Sequence, residues 1–288
     1  FMDCDNFYNL DTKKLTSFLT KNTYMRKGYT FNKRTKKKIS AIIPVHVSGN
    51  AVDLYAFIKL CKKKKIKIVE DAAEALGTFY NNGALKQKHV GTVGDIGCLS
   101  FNGNKIITSG GGGMIITNNK EFAEEARYLS TQATDDSIRY IHNDIGYNYR
   151  LTNIQAAVGL AQLEKIKYFL KRKLAIYNFY RKKINNIHGL TVAERPSYAR
   201  NNNWMVSIKI NKKIYGMNKD KLITFLQKHN IQSRSMWLPI HLQKKYVNFE
   251  RYKILNAIKL FHNSINIPCS TNLSLEENTK VVKILNSK

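Results

Sequence analysis

Short apolar runs alternate with amphipathic stretches along the first half of this chain, and that order restricts the fold more than any other feature. The run SAIIPVH ends at His46 and a turn signal, Ser48-Gly49-Asn50. Residues 53–65 (DLYAFIKLCKKKK) place Leu54, Phe57, Ile58 and Cys61 on one helical face, with Asp53 at the expected N-terminus. Three more strand-like runs follow: IKIVE (66–70), GCLSF (97–101) and GMIIT (113–117). Strand, helix, strand in repetition predicts an α/β domain on a largely parallel sheet. Residues 121–130 and 153–169 read as helices, the second with an apolar stripe of Ile154, Ala157, Val158, Ala161, Leu163 and Ile166. From about 170 the texture changes. A Tyr-rich helix (170–186) leads into a Pro/Ser/Asn stretch, a strand at 204–210, a helix at 218–229, a short strand near 231–234 and a helix after Ser274. The pattern predicts a large domain over 1–168 and a smaller α+β domain over 169–288.

Composition narrows the function classes. With 43% hydrophobic and 24% charged residues over 288 positions, the chain has a globular make-up that excludes wholesale disorder. No apolar run approaches the ~20 residues of a membrane helix, so no membrane association is expected. Cys4, Cys61, Cys98 and Cys269 are scattered, without CxxC spacing or nearby His. That argues against a zinc site or a disulfide framework, and no metal is expected; a reducing cytoplasm is the simplest setting. The formal charge of +28 is the anomaly. It would suit a nucleic-acid partner. Yet 37 Lys and 30 Asn together indicate a drift toward AT-rich codons, and the Lys runs at 36–38 and 62–65 lack interleaved aromatics. No nucleic-acid partner is therefore expected. A broadly positive field would still concentrate a phosphorylated substrate.

Chemistry in parallel α/β sheets gathers at the carboxyl ends of strands. Here those ends carry His46, then Glu70-Asp71-Ala72-Ala73-Glu74, then Ser100-Phe101-Asn102-Gly103-Asn104-Lys105, with Ser109 and Gly110–Gly113 before the next strand. Singly, each has an ordinary reading: a loop lysine, a helix-capping aspartate, a tight glycine turn. Together they supply one amine, one acid, hydroxyl donors and small neighbours, the set that pyridoxal phosphate requires.

Four long stretches, in order, resemble one family. They are PVHVSGNAVD (44–53), VEDAAEALGTFY (69–80), GTVGDIGCLSFNGNKIITSGGGGMI (91–115) and GYNYRLTNIQAAVGLAQLE (146–164), with a weaker match in IQSRSMWLPIHLQ (231–243). On these the chain resembles the DegT/DnrJ/EryC1/StrS sugar aminotransferases, a branch of fold-type-I pyridoxal-phosphate enzymes. The SFNGNK and GGGG combination is most similar to 4-aminotransferases of legionaminic-acid and bacillosamine-type pathways. Many relatives read GEGG where this chain has Gly110–Gly113.

The resemblance implies a role for each matching residue. Lys105 corresponds to the lysine that binds the cofactor covalently, and Asp71 to the acid paired with its pyridine nitrogen. Ser100 matches a ligand of the cofactor phosphate, and Ala73 a small residue against the ring. Glu74 stands where relatives more often carry Gln or His near the cofactor hydroxyl. Asn148 matches a residue that reaches across a homodimer interface to the partner's cofactor phosphate. Arg150, Arg234 and His241 correspond to the substrate side. The implied reaction moves an amino group from glutamate to C4 of a nucleotide-linked 4-keto-6-deoxy sugar, a UDP- or GDP-linked 2-acetamido sugar, for bacterial surface glycans. Relatives carry a further N-terminal part with a Gly-Thr/Ser phosphate-binding turn. The opening Phe1-Met2-Asp3-Cys4-Asp5 shows no signal peptide and reads as the end of a strand, so residues ahead of it are expected. The rivals are a non-catalytic regulator and a basic nucleic-acid-binding protein on the same fold; Lys105 in place of His argues against a dehydratase.

Overall fold

Local capping sets where the first elements begin. Asp11 accepts the Lys14 amide and opens α1 (Thr12–Lys21), which buries Leu15 and Leu19 four residues apart on one face. A hairpin of β1 (Thr23–Arg26) and β2 (Tyr29–Asn32) follows. Lys27 and Gly28 both take positive φ, at 50° and 76°, the mirror-type turn that suits strand twist. The computed structural model describes residues 1–288. In it the 36–38 lysines lie against this hairpin, with the Lys38 ammonium 3.6 Å from the centre of the Tyr29 ring.

The alternation read from the sequence becomes β3 (Ala41–Ile42), α2 (Tyr55–Lys63), β4 (Lys67–Asp71), β5 (Phe79–Tyr80), β6 (Ile96–Ser100) and β7 (Gly113–Ile116). The sheet order is β3-β4-β6-β7. The first three strands are parallel, and β7 runs antiparallel along the edge. Helix α2 begins after Leu54 with no side-chain cap, so Asp53 does not perform the capping that its position suggested. Lys62 and Lys63 close the helix, where cations complement the exposed carbonyls. Then come α3 (Lys120–Ser130), the ribbon β8 (Thr134–Asp136) and β9 (Ile141–His142), α4 (Asn153–Glu164) and α5 (Ile166–Ile184). The single helix expected over 153–169 is two, broken at Lys165, which leaves helical geometry at φ −95°, ψ 4°.

The second half forms an antiparallel sheet. It contains β10 (Leu190–Val192), β11 (Ala199–Arg200), β12 (Val206–Ile210), α6 (Lys212–Tyr215), α7 (Lys219–Lys228), β13 (Arg234–Ser235), α8 (Asn256–Asn263), β14 (Ser264–Ile267) and α9 (Leu275–Asn286). The order is β10-β12-β14-β13, while β11 crosses back to pair with β5. Two cores result. One gathers Leu54, Phe57, Ile68, Leu99 and Ile107 around the parallel sheet; the other gathers Tyr180, Ile208, Leu222, Ile265 and Leu285. We propose that these are the two domains, with α5 shared between them: Phe169 and Leu170 bear on the first core and Ile176 to Ile184 build the second. The apolar stripe of α4 is not a core face. Ile154 is 79% exposed, and Val158, Leu160 and Leu163 are open too.

The chain's first residues are pinned by one carboxylate rather than by a strand. Met2 makes only a single bridge, to Tyr252. Asp3, fully buried, accepts the amides of Leu255, Asn256 and Ala257 and pairs with Lys14 at 2.5 Å. It thus caps α8, whose own preceding residue Leu255 cannot. Burial would raise its pKa, but Lys14 and the three amides hold it well below the usual aspartate range. A depressed carboxylate adds stability above its unfolded pKa, ~3.9, and that stability fades as pH falls below it. Asp3→Ala should therefore cost about 2–3 kcal/mol at pH 7. The gap to wild type should narrow at pH 3, as read by denaturant unfolding at both pH values.

Candidate active site

The ends of β4 and β6 are neighbours because Asp71 pairs in register with Cys98. Whatever follows each strand therefore meets at one place. Alternation along β4 sends Glu70 inward, while Asp71 is half-buried beside it. Glu70 accepts from the ring of His46 at 2.9 Å and from the amides of Gly91, Val93 and Gly94. His46 Nδ1 in turn accepts the Val52 amide, which leaves Nε2 as the donor to Glu70. Burial works to raise the Glu70 carboxyl, but the His46 contact and the Gly94 and Gly91 amides outweigh it, and its pKa lies below the ordinary value. One carboxylate thus ties the end of β3, the end of β4 and the loop entering β6.

Asp71 Oδ1 accepts the Ala73 amide at 3.1 Å in a short Asx turn, and Oδ2 has no protein partner. Residues 72–77 form turns and not a helix, so Asp71 is no helix cap. The turn carries half-buried Ala73 and delivers Glu74 to the same cleft. Glu74 Oε2 accepts the Ser48 amide at 2.6 Å, and Oε1 lies 4.0 Å from Lys105 Nζ. Burial pushes the Glu74 carboxyl above the usual glutamate value; the Ser48 amide and Lys105 act against this, and Asp71 adds to it. Ser48 pays for its amide's position with a left-handed backbone, φ 56°, and its hydroxyl is buried without a partner. Gly49 follows at φ 80°, where a Cβ would fall 1.8 Å from Asn202 Oδ1.

Lys105 follows β6 on a tight turn in which its amide bonds the Asn102 carbonyl. Its side chain is 14% exposed, and the ammonium lies 4.3 Å from the centre of the Trp204 ring. Ser100, at the end of β6, accepts the Asn102 amide through Oγ at 3.3 Å. In the glycine run, Gly110 and Gly112 take left-handed φ, and a Cβ at Gly113 would meet the Leu99 carbonyl at 2.5 Å; Gly112 is the one that faces α4. It sits at φ 80°, and a Cβ there would meet Leu151 at 2.5 Å, just ahead of α4. The turn therefore brings α4 against the site loop.

Asp71, Ala73, Glu74, Ser100 and Lys105 thus share one pair of strand ends. The other predicted residues stand apart within this chain. Asn148 and Arg150 are exposed, with no side-chain hydrogen bond or ion pair. Arg234 is exposed on β13, opposite Asn266. His241 is buried with Nε2 unpartnered; burial, with Arg251 and the N-terminal ammonium, lowers its pKa. Sequence reasoning missed Asn202 and Trp204. Asn202 bonds the carbonyls of Glu74 and Leu76 and accepts the Trp204 amide. Three Asn before a Trp give no signal in a chain with 30 Asn, and the contacts these residues make lie far away in sequence. A concavity of about 400 Å³ beside β5, lined by Phe79, Lys86 and Arg200, holds none of these groups. No cluster of three or more His, Cys, Asp or Glu could hold a metal ion, and no helix is long and apolar enough to cross a membrane.

A screened lysine amine beside a carboxylate, with a second acid and a hydroxyl on adjacent parallel strands, defines a lysine-centred site of the fold-type-I α/β class. Comparison with known proteins bears on the family and the fold. The model of the DegT/DnrJ/EryC1/StrS aminotransferase family matches residues 1–286, and the chain belongs to that family. It is 36% identical over 250 residues to a GDP-perosamine synthase of Escherichia coli O157:H7, covering 86% of this chain and 65% of the relative. A GDP-perosamine synthase of Vibrio cholerae is 34% identical over 237 residues, covering 82% and 63%. The chain thus spans just under two thirds of the length of these relatives. Among solved structures, a DegT DnrJ EryC1 StrS aminotransferase from Brucella abortus superimposes with a TM-score of 0.85 at 25% identity, covering all of this chain and 72% of that one. Helicobacter pylori PseC, an aminotransferase involved in the biosynthesis of pseudoaminic acid, gives a TM-score of 0.84 at 26% identity, covering 99% of this chain and 72% of that one.

Breaking the buried tie should be severe. Glu70→Ala leaves His46 and three amides facing a void, and should cost about 3–5 kcal/mol in equilibrium unfolding. A loss under 1 kcal/mol would show that the strand ends are held by other contacts.

Proposed function

We propose that this chain provides the lysine site of a pyridoxal-phosphate-dependent aminotransferase acting on a nucleotide-linked 4-keto-6-deoxy sugar. The observation that carries the reading is Lys105 Nζ held 4.0 Å from Glu74 on strand ends that also present Asp71 and Ser100. The donor set fits the cofactor: an amine to anchor it, the free Oδ2 of Asp71 for its ring nitrogen, Ala73 without bulk for its face, and the Ser100 hydroxyl for its phosphate. When bound, pyridoxal phosphate supplies an electron sink for charge developing at a substrate carbon. Asp71 keeps a proton on the ring nitrogen. Lys105 would take the proton from the α-carbon of the donor, which we take to be glutamate, and deliver it to the cofactor carbon that receives the amino group; in the second half it would run the same transfer in reverse and protonate C4 of the acceptor sugar. Glu74, screened and half-buried, faces the Lys105 amine at 4.0 Å.

The acceptor class rests on the relatives. Two are named GDP-perosamine synthase, and another, from Campylobacter jejuni, is named UDP-4-amino-4,6-dideoxy-N-acetyl-beta-L-altrosamine transaminase and is 29% identical over 292 residues. Arg150, Arg234 and His241 are assigned to the acceptor, whose phosphates the +28 chain attracts. Four unpaired cysteines suit a cytoplasmic setting.

We propose further that a second copy completes the site. Asn148 and Arg150 emerge immediately before α4, whose start is fixed by a Thr152–Gln155 capping box. The exposed stripe of α4 continues into exposed Tyr147, Tyr149, Met114 and Ile115, an apolar area of the kind that marks an interface. A two-fold contact here makes Asn148 reciprocal between subunits.

Lys105→Ala should remove the visible absorbance of bound cofactor, borohydride trapping of it and transamination, with the fold retained. Wild type that shows no spectral response to glutamate would favour a non-catalytic role. For the shared site, Lys105→Ala and Asn148→Ala subunits, each impaired alone, are mixed. Statistical exchange makes about half the dimers mixed, each with one intact site, so about a quarter of wild-type activity should return. No recovery after demonstrated exchange would place Asn148 in its own chain's site.

A further inference from the structure

We infer that Trp204 is the positioning residue of Lys105, holding both the lysine's backbone and its amine through one indole. Three observations converge. The indole Nε1 donates to the carbonyl of Asn104, the residue immediately before Lys105, at 2.6 Å. The ring of the same side chain lies under the Lys105 ammonium at 4.3 Å. Trp204 itself is 3% exposed and cannot drift: its amide donates to Asn202 Oδ1 at 2.9 Å, and its carbonyl accepts from buried Lys173 at 2.9 Å. Trp237, half-exposed, stacks nearly parallel to it, with ring centres 6.2 Å apart.

The physical content is a two-point clamp. The N–H fixes where the lysine's Cα sits, because a carbonyl one residue earlier shares its peptide plane. The ring face then selects among the rotamers of a long, flexible side chain by attraction between the ammonium and the aromatic quadrupole. Without the ring, the amine has only Glu74 at 4.0 Å, outside hydrogen-bonding distance, to direct it. Position matters for a group that must both attack a carbonyl carbon and carry a proton, since small misplacements of a reacting group cost large factors in rate. Trp204 lies 99 residues from Lys105 in sequence yet packs in the same core as the parallel sheet, so the aim of the amine is set by the folded chain and not by its local sequence. Glu74 and Asn202 complete the enclosure: Asn202 bonds the Glu74 carbonyl and the Trp204 amide at once.

The kinetic part of the test rests on the aminotransferase reading; the labelling part does not. Trp204→Phe keeps a ring under the amine and removes the N–H, while Trp204→Leu removes both. In cofactor-free protein, trace acetylation with acetic anhydride followed by mass spectrometry reports the reactivity of Lys105 relative to exposed Lys120 and Lys283 in the same sample. Trp204→Leu should raise that ratio about five-fold as the amine loses its cover, and Trp204→Phe about two-fold. With cofactor and both substrates, Trp204→Phe should lower kcat about ten-fold with KM for each substrate within two-fold of wild type. If Trp204→Leu does not fold, Trp204→Phe decides alone. Unchanged Lys105 labelling in every folded variant, or a loss in Trp204→Phe that falls on KM with kcat intact, would overturn the inference. A wild type without turnover would count against the aminotransferase reading, and the labelling ratios would still decide the role of Trp204.

Discussion

The buried carboxylate of Glu70 is the constraint on which the rest of the site depends. A parallel sheet leaves the ends of its strands without a shared turn, so something else must hold them at a common level. Glu70 does this by accepting from His46, Gly91, Val93 and Gly94 together. An ionised group without those donors would be too costly to bury. With them, its burial makes the loop ahead of β6 and the turn after β3 adopt one arrangement. Asp71 is the next residue, and its orientation follows from the inward pointing of its neighbour, because successive strand residues face opposite ways.

Much of this was legible in the residues. The strand ends at Glu70-Asp71 and Ser100 were evident because apolar runs stop abruptly at polar clusters, and a parallel sheet gathers such ends; the first strand is shorter than its apolar run suggested, ending at Ile42, four residues ahead of His46. The long stretches around Asp71 and Lys105 also carry the family resemblance, which the family model supports over nearly the whole chain. What could not be read came from distance in sequence. Trp204 reaches Lys105, Asp3 caps α8 and β11 pairs with β5 only through the folded chain, and no local periodicity encodes those meetings. The α1 segment and its hairpin were missed for another reason: Lys and Thr dilute their apolar pattern. The apolar residues read on 153–169 do lie on helices, α4 and the start of α5, but an apolar pattern does not say what covers it, and none of them is fully buried within this chain.

The charge distribution bears on the same division between local and global information. The lysine runs at the hairpin and at the end of α2 have local uses, stacking on Tyr29 or complementing helix carbonyls. Two lysines are buried in the second half: Lys173 bonds the carbonyls of Trp204 and Cys269, and Lys219 bonds Ser235 and the Phe261 carbonyl. These neutral oxygens disperse the charge without an acidic partner, so an excess of cations need not expose every one of them.

Helix α5 has a mechanical consequence. It runs for 19 residues, about 28 Å at the usual rise, with its first turns seated in one core and its later turns in the other. Such a rod does not bend without breaking several backbone hydrogen bonds. The two cores are therefore joined through the seat of one continuous helix and not through a flexible linker, so the antiparallel sheet keeps its bearing on the floor where the lysine lies.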